Sequence, residues 1–183
     1  MDMDKEQILA LLHELGDELV KEHSIAVISV FGGSAIAIAY CDTRASNDID
    51  IILNSGDWRI FYKITERMAK KYNLDEKWIS EAIEEIVSVD MKNDFQLLNY
   101  GQFGGLIIRI ASAEQLLAMK IFSARIEKDS DDAVMLANQI NVKSKKGLLK
   151  ILYKYFKPES INERNADGCI SIMIDYIEGA VKL

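Results

Sequence analysis

The chain is 183 residues long, 49% hydrophobic and 28% charged, with one proline and a formal net charge of −7 from 22 basic and 29 acidic side chains. These values describe one folded domain, 1–183, with a sizeable core and no Pro-rich linker or disordered tail, and the acidic balance excludes a protein that coats nucleic acid over its whole surface. Two cysteines, Cys41 and Cys169, stand in no CxxC spacing, which excludes a disulfide framework or zinc ribbon and fits a reducing cytoplasm.

The N-terminal segment carries Asp2, Asp4 and Glu6 in place of a basic-then-apolar run, so it is not read as a secretory signal. Ile8, Leu11, Leu12, Leu15 and Leu19 recur at helical spacing and predict an amphipathic helix over Asp4 to Lys21. From Ser24 to Cys41 there are eighteen residues without a charge, the lower limit for a membrane span. However, "IAVISVF" is β-branched, "GGS" interrupts the run, and "AIAIAY" suits a small-residue helix. The stretch reads as a buried strand, a turn, and a helix from Ser34 to about Tyr40, and no membrane partner is expected. "DIDIIL" is a second strand. Asp57 caps a helix through about Lys71 with Phe61, Ile64 and Met68 inward; Asp75 caps another through about Ser88 with Trp78, Ile79, Ala82, Ile83 and Ile86 inward.

Phe95 to Tyr100 and Leu106 to Ile110 form a hairpin through "GQFGG". Ser112 with Gln115 is a capping-box signature opening the helix "AEQLLAMKIFSAR", and helical periods continue to the C-terminus. Within them, "VKSKKGLLKILYKYFK" holds six lysines and no acid, with Lys146, Lys150, Lys154 and Lys157 on a stripe opposite Leu148, Leu149, Leu152 and Phe156. That stripe is either a solvated helix face or a landing surface for a phosphate-bearing partner. Trp58 and Trp78 are read as core, and His13 and His23, without ligand-spaced partners, as surface or helix-end residues. The expected fold class is α+β: an α/β core over 1–110, a small mixed sheet with helices against it, and a helical part over 111–183.

The chemistry concentrates in "FGGSAIAIAYCDTRASNDIDI". On a strand, Asp48 and Asp50 project from the same side. Side-by-side carboxylates repel unless a cation intervenes, and oxygen ligands point to Mg2+ or Mn2+. Mg2+ completes its shell with water and substrate phosphates, so a phosphate-bearing ligand is implied. Gly32 and Gly33, where strand passes into helix, let backbone approach a phosphate, and the Ser34 hydroxyl can add a bond. Taken singly, each motif also has a structural reading: a Gly-Gly turn, or two solvated acids at a strand end.

Together, in this order, they resemble the nucleotidyltransferase fold of the polymerase-beta-like superfamily, and more finely the AbiEii-type nucleotidyltransferase-like proteins. Gly32, Gly33, Ser34, Ala35, Arg44, Ser46, Asp48 and Asp50 match that pattern. Downstream, "LLAMKIFSARIEKDSDDAVML" puts Lys120, Arg125, Asp129 and Asp132 in the group's later basic and acidic positions, with Lys128 as the second basic residue. The resemblance spans about Val27 to Leu136. It implies that Asp48 and Asp50 hold the metal and Gly32, Gly33, Ser34, Arg44 and Ser46 meet a nucleoside triphosphate. Lys120 would neutralise phosphate charge, with Arg125, Asp129 and Asp132 beside it. Lys120 is the only basic residue of an apolar segment, so it either snorkels or points into a site. Arg125 and Arg44 either neutralise phosphate or join a network with the aspartates, and Asp132 is read as orienting Lys120 or Arg125. The resemblance also implies nucleotidyl transfer to an RNA or tRNA end or to a protein hydroxyl, and a toxin–antitoxin setting with a small partner protein.

One departure from the pattern is that "FQLLNYG" and "GLIIRI" hold no third carboxylate; Asp90 and Asp94 lie just before them. The rival readings are a degenerate nucleotidyltransferase fold kept as a binding or partner protein, and a DxD glycosyltransferase, for which the chain is short.

Overall fold

The computed structural model describes residues 2–81, 90–92 and 96–181. The chain divides into two compact units, Met1–Glu84 with Leu97–Ala111, and Glu85–Gln96 with Ser112–Leu183.

The first unit opens with α1 (Lys5–Lys21). Its cap is reciprocal: the Asp4 carboxylate accepts from the Gln7 amide at 2.9 Å, and the Gln7 side-chain carbonyl accepts from the Asp4 amide at 3.0 Å. Two donors that a helix start leaves orphaned are thereby satisfied. β1 (Ala26–Val30), α2 (Gly32–Ala39), β2 (Ile49–Ser55), α3 (Trp58–Tyr72), β3 (Ile79–Ser80), β4 (Leu97–Phe103) and β5 (Leu106–Ala111) follow. The strands form a mixed sheet in the order β3-β2-β1-β5-β4. β1 is central, antiparallel to β2 and parallel to β5; β2 pairs parallel with β3, and β4 antiparallel with β5.

One sheet face is apolar. Ala26, Ile28, Val30, Ile49, Ile51, Leu106, Ile108 and Ile110 are all buried, along with the α1 stripe Ile8, Leu12, Leu15 and Leu19. At about 1.5–3 kcal/mol for each large side chain, this face holds the unit together. α1 approaches the β4–β5 turn closely: Gly105 donates to the Gly16 carbonyl at 2.9 Å, and a Cβ at Gly16 would overlap the Phe103 carbonyl.

The helix expected from Asp75 and the core position expected for Trp58 both fail in this unit. No helix starts at Asp75. Its carboxylate accepts from the Lys77 amide and its carbonyl from the Trp78 amide, closing a turn, after which Ile79–Ser80 pairs with Ile49–Asp50. The interactions that win are long-range. Ile49 donates to the Trp78 carbonyl at 2.8 Å, the Trp78 indole donates to the Thr65 carbonyl at 3.1 Å, and the ring is buried. Periodicity within the segment cannot register them. Ala82, Ile83, Ile86 and Ser88 lie outside the described residues, as does Phe95 of the expected hairpin. Trp58, read as core, is 59% exposed under the Arg59 guanidinium, because the buried stripe of α3 begins a turn later, at Phe61.

The second unit contains α4 (Ala113–Ser123), α5 (Ile126–Gln139), α6 (Lys145–Tyr155), α7 (Pro158–Arg164) and α8 (Cys169–Ala180). Ser112 caps α4 by accepting from the Gln115 amide at 3.2 Å. The Gln115 side chain does not return that bond; its Oε1 accepts from the Gln96 amide instead. Leu116, Leu117, Ile121, Leu136, Leu148, Leu152, Tyr155, Ile170, Met173 and Ile177 are buried in this unit, with Phe122 stacked on Phe156 at 4.0 Å. The lysine stripe is modified. Lys154 turns to Glu114 at 2.6 Å, Ile151 and Tyr155 join Leu148 and Leu152 inside while Leu149 is half-buried, and the outward face is Lys146, Lys150 and Tyr153. Among the described residues no helix is long and apolar enough to cross a membrane.

The chain thus has the expected α+β class, a mixed sheet with helices against it and a helical C-terminal third.

Candidate functional site

The end of β1 and the start of β2 are tied together where the Phe31 amide donates to the Asp50 carbonyl at 2.9 Å. The chain then enters α2 directly, so Gly32 and Gly33 are the first helical residues and not a turn ahead of Ser34. Gly32 has φ +61°, the left-handed region that disfavours any residue with a Cβ. A Cβ there would also overlap Asp50 Oδ2. Glycine is therefore needed twice over, and the Asp50 carboxylate packs on the N-terminus of α2.

Gly33 marks a second close approach. A Cβ there would lie 3.0 Å from Ser46 Oγ and 3.4 Å from Arg44 Nη2. Residues from three stretches of sequence (Gly32 and Gly33, Arg44 and Ser46, Asp50) thus meet at one end of the sheet. No side chain caps α2. Its first amides and the positive end of its dipole favour an anion at this point.

The loop carrying Arg44 and Ser46 is pinned from α1. Met3 and Ser46 exchange backbone hydrogen bonds at 2.8 and 2.9 Å, and Lys5 pairs with Asp42 at 2.6 Å. The Arg44 guanidinium also donates to the Ala45 carbonyl. No local pattern announces these ties, since they join residues some forty positions apart. The Ser34 hydroxyl is buried and donates to the Phe31 carbonyl at 3.0 Å, so what Ser34 offers a ligand is its backbone amide.

The two acids differ. Ile49 and Ile51 are buried, and Asp50 between them is half-buried on the opposite sheet face. Asp48 is exposed in a bend just before β2, so strand alternation sets the direction of Asp50 alone. Their chemistry suits a hard divalent cation that takes a few protein oxygens and completes its shell with water and phosphate. Among the described residues no group of three or more His, Cys, Asp or Glu is placed to hold a metal. β4 and β5 carry no acid, Asp90 belongs to the second unit, and Asp94 lies outside the described residues.

The second unit has its own charged cluster. Lys120 is 7% exposed, and its ammonium lies 2.6 Å from Asp129 and 2.9 Å from Asp132. Asp129 also accepts from the Ser123 hydroxyl at 2.7 Å and from Arg125 Nε at 2.8 Å. Burial alone would push the Asp129 carboxyl up, but the hydrogen bonds from Arg125, Lys120 and Ser123, with the Lys120 charge, outweigh it and hold the group below the usual aspartate range. The cluster ties α4 to α5 across the left-handed Ala124, φ +51°.

An apolar cleft of about 240 Å3 in the first unit is lined by Met3, Gln7, Ala10, Leu11, Glu14, Tyr72 and Leu74. It is distinct from the glycine and carboxylate residues.

The fold and site define an α+β protein whose glycine-opened helix sits against a strand carboxylate. No protein-family model matches the chain, and no curated protein matches it. A solved structure, that of an antigenic nucleotidyltransferase-like protein from Paracoccidioides brasiliensis, is similar over 96% of this chain and 95% of that one, at 13% identity and a TM-score of 0.44. A likeness of that degree says nothing of activity.

Proposed function

We propose that the first unit binds a nucleoside triphosphate with a divalent cation and transfers its nucleoside monophosphate to an acceptor hydroxyl. The observation that carries this reading is the packing of the Asp50 carboxylate on the uncapped, glycine-opened N-terminus of α2. An anion site and a cation-binding acid are thereby adjacent. Asp50 with Asp48 would hold Mg2+ or Mn2+, which when bound neutralises phosphate charge. The amides of Gly32, Gly33 and Ser34 receive phosphate oxygens, and Arg44 and Ser46 border them. Lys120 and Arg125, already engaged by Asp129 and Asp132, have no phosphate role in this reading.

The reaction is in-line: the acceptor oxygen forms a bond to the α-phosphorus, the bond from that phosphorus to the bridging oxygen breaks, pyrophosphate leaves, and the hydroxyl proton passes to solvent or a base. An RNA end, such as that of a tRNA, or a protein hydroxyl is the acceptor, in a toxin–antitoxin setting. The test is incubation with α-labelled triphosphates, Mg2+ and cellular RNA or protein. Transfer that disappears in Asp48→Asn and Asp50→Asn is expected; no transfer to any acceptor overturns the enzyme reading.

A second reading, a protein that binds the nucleotide without turnover, is favoured by one feature: no third acid accompanies Asp48 and Asp50 among the described residues. Calorimetry that finds triphosphate binding without label transfer would select it.

A further inference from the structure

The polar face of the sheet carries more than Asp50. β1 pairs Ser29 with Ile52 of β2 on one side and with Arg109 of β5 on the other, and β5 pairs Arg109 with Asn99 of β4. Residues sharing a face alternate along each strand, so Asp50, Ser29, Arg109 and Asn99 all lie opposite the isoleucine face. Ser29 is buried and donates to the Asn54 side chain at 2.6 Å. Arg109 is exposed, and among the described residues its guanidinium has no carboxylate partner.

Register fixes the separation. Arg109 is two strands from Asp50 and two residues along, so strand spacings of about 4.8 Å and a rise of about 3.3 Å put their Cα atoms about 12 Å apart. Side chains on strands stand roughly perpendicular to the sheet, so the guanidinium and the carboxylate project about 12 Å apart, and the space between them takes a phosphate group beside an acid-bound cation. Arginine suits this role because its planar fork donates two parallel bonds to phosphate oxygens.

We infer that Arg109 binds the terminal phosphates of a nucleoside triphosphate on the polar face of the sheet, at the same site as Asp50. This rests on the function proposed above and adds a discrimination to it: the site reads the length of the phosphate chain. A monophosphate at the N-terminus of α2 does not extend to Arg109, whereas a triphosphate does.

The experiment is isothermal calorimetry of the full chain with ATP, GTP, CTP and UTP and the matching monophosphates, with Mg2+, for wild type, Arg109→Gln and Arg109→Lys. Arg109→Gln is expected to lose about tenfold to a hundredfold in triphosphate affinity, the usual worth of a charge-assisted hydrogen bond. Monophosphate affinity should stay within about twofold, and Arg109→Lys should recover part of the loss. An unchanged thermal transition is expected, since the side chain is exposed. Wild-type binding of a triphosphate that Arg109→Gln leaves intact, or lowers equally for monophosphate, overturns this inference alone. Wild type that binds no triphosphate overturns the underlying function and this inference with it.

Discussion

Replacing Gly32 with alanine tests how the site is built. The new residue would have to hold φ +61°, which costs an L-residue about 1–2 kcal/mol. Its Cβ would also meet Asp50 Oδ2, forcing that side chain off its rotamer at about 0.5–1.5 kcal/mol. Gly32→Ala should therefore lose about 2–3 kcal/mol of stability, read as a lower urea midpoint at unchanged slope. The two contributions separate in a double-mutant cycle. In an Asp50→Ala background the collision disappears and only the backbone strain is left, so the same substitution should cost about 1 kcal/mol less. Gly33→Ala is the control: its φ is not left-handed and its Cβ would sit 3.0 Å from the Ser46 hydroxyl, so its loss should be smaller. Triphosphate binding should weaken in Gly32→Ala, because Asp50 is the group displaced. If the Asp50 background leaves the loss unchanged, the carboxylate does not press on Gly32, and the packing on which the functional reading stands is wrong.

In the second unit, Lys120→Met removes the cation that touches both Asp129 and Asp132. Leaving buried carboxylates without it should cost about 3–5 kcal/mol in urea unfolding; a loss under about 1 kcal/mol would show that the cluster is more solvated than its burial indicates. Acid should act on the same cluster. The folded-state pKa of Asp129 lies below its ordinary value, so its stabilisation is full above about pH 4 and is lost as pH falls through the folded value. Urea midpoints measured from about pH 6 downward should fall less steeply below about pH 4 in Asp129→Asn than in wild type. Parallel curves would remove Asp129 from the cause.

Local chemistry determined much of this protein. The apolar spacing of Ile8, Leu12, Leu15 and Leu19, the Asp4, Asp57 and Ser112 caps, and the β-branched "IAVISV" each act within a few residues, where helical and strand periods operate. "GGS" and "DID" were legible as candidates for the same reason. Their meeting was not. It depends on β1 and β2 pairing so that Asp50 lands on Gly32, and on Met3 and Lys5 pinning the loop that delivers Ser46 and Arg44. The same long-range pairing turned the segment after Asp75 into a strand edge, and register alone put Arg109 on the face of Asp50. Nothing near Arg109 in sequence marks it, because its neighbours Ile108 and Ile110 face the core. Lys120 is the converse case: its isolation in an apolar helix marked a charge that either snorkels or points into a site, and the packing of α5 against α4 decided that it meets Asp129 and Asp132. Which residues form helices and strands follows from neighbours in sequence; which charges and glycines share a site follows from strand register and helix packing, since those bring together groups the chain itself keeps tens of residues apart.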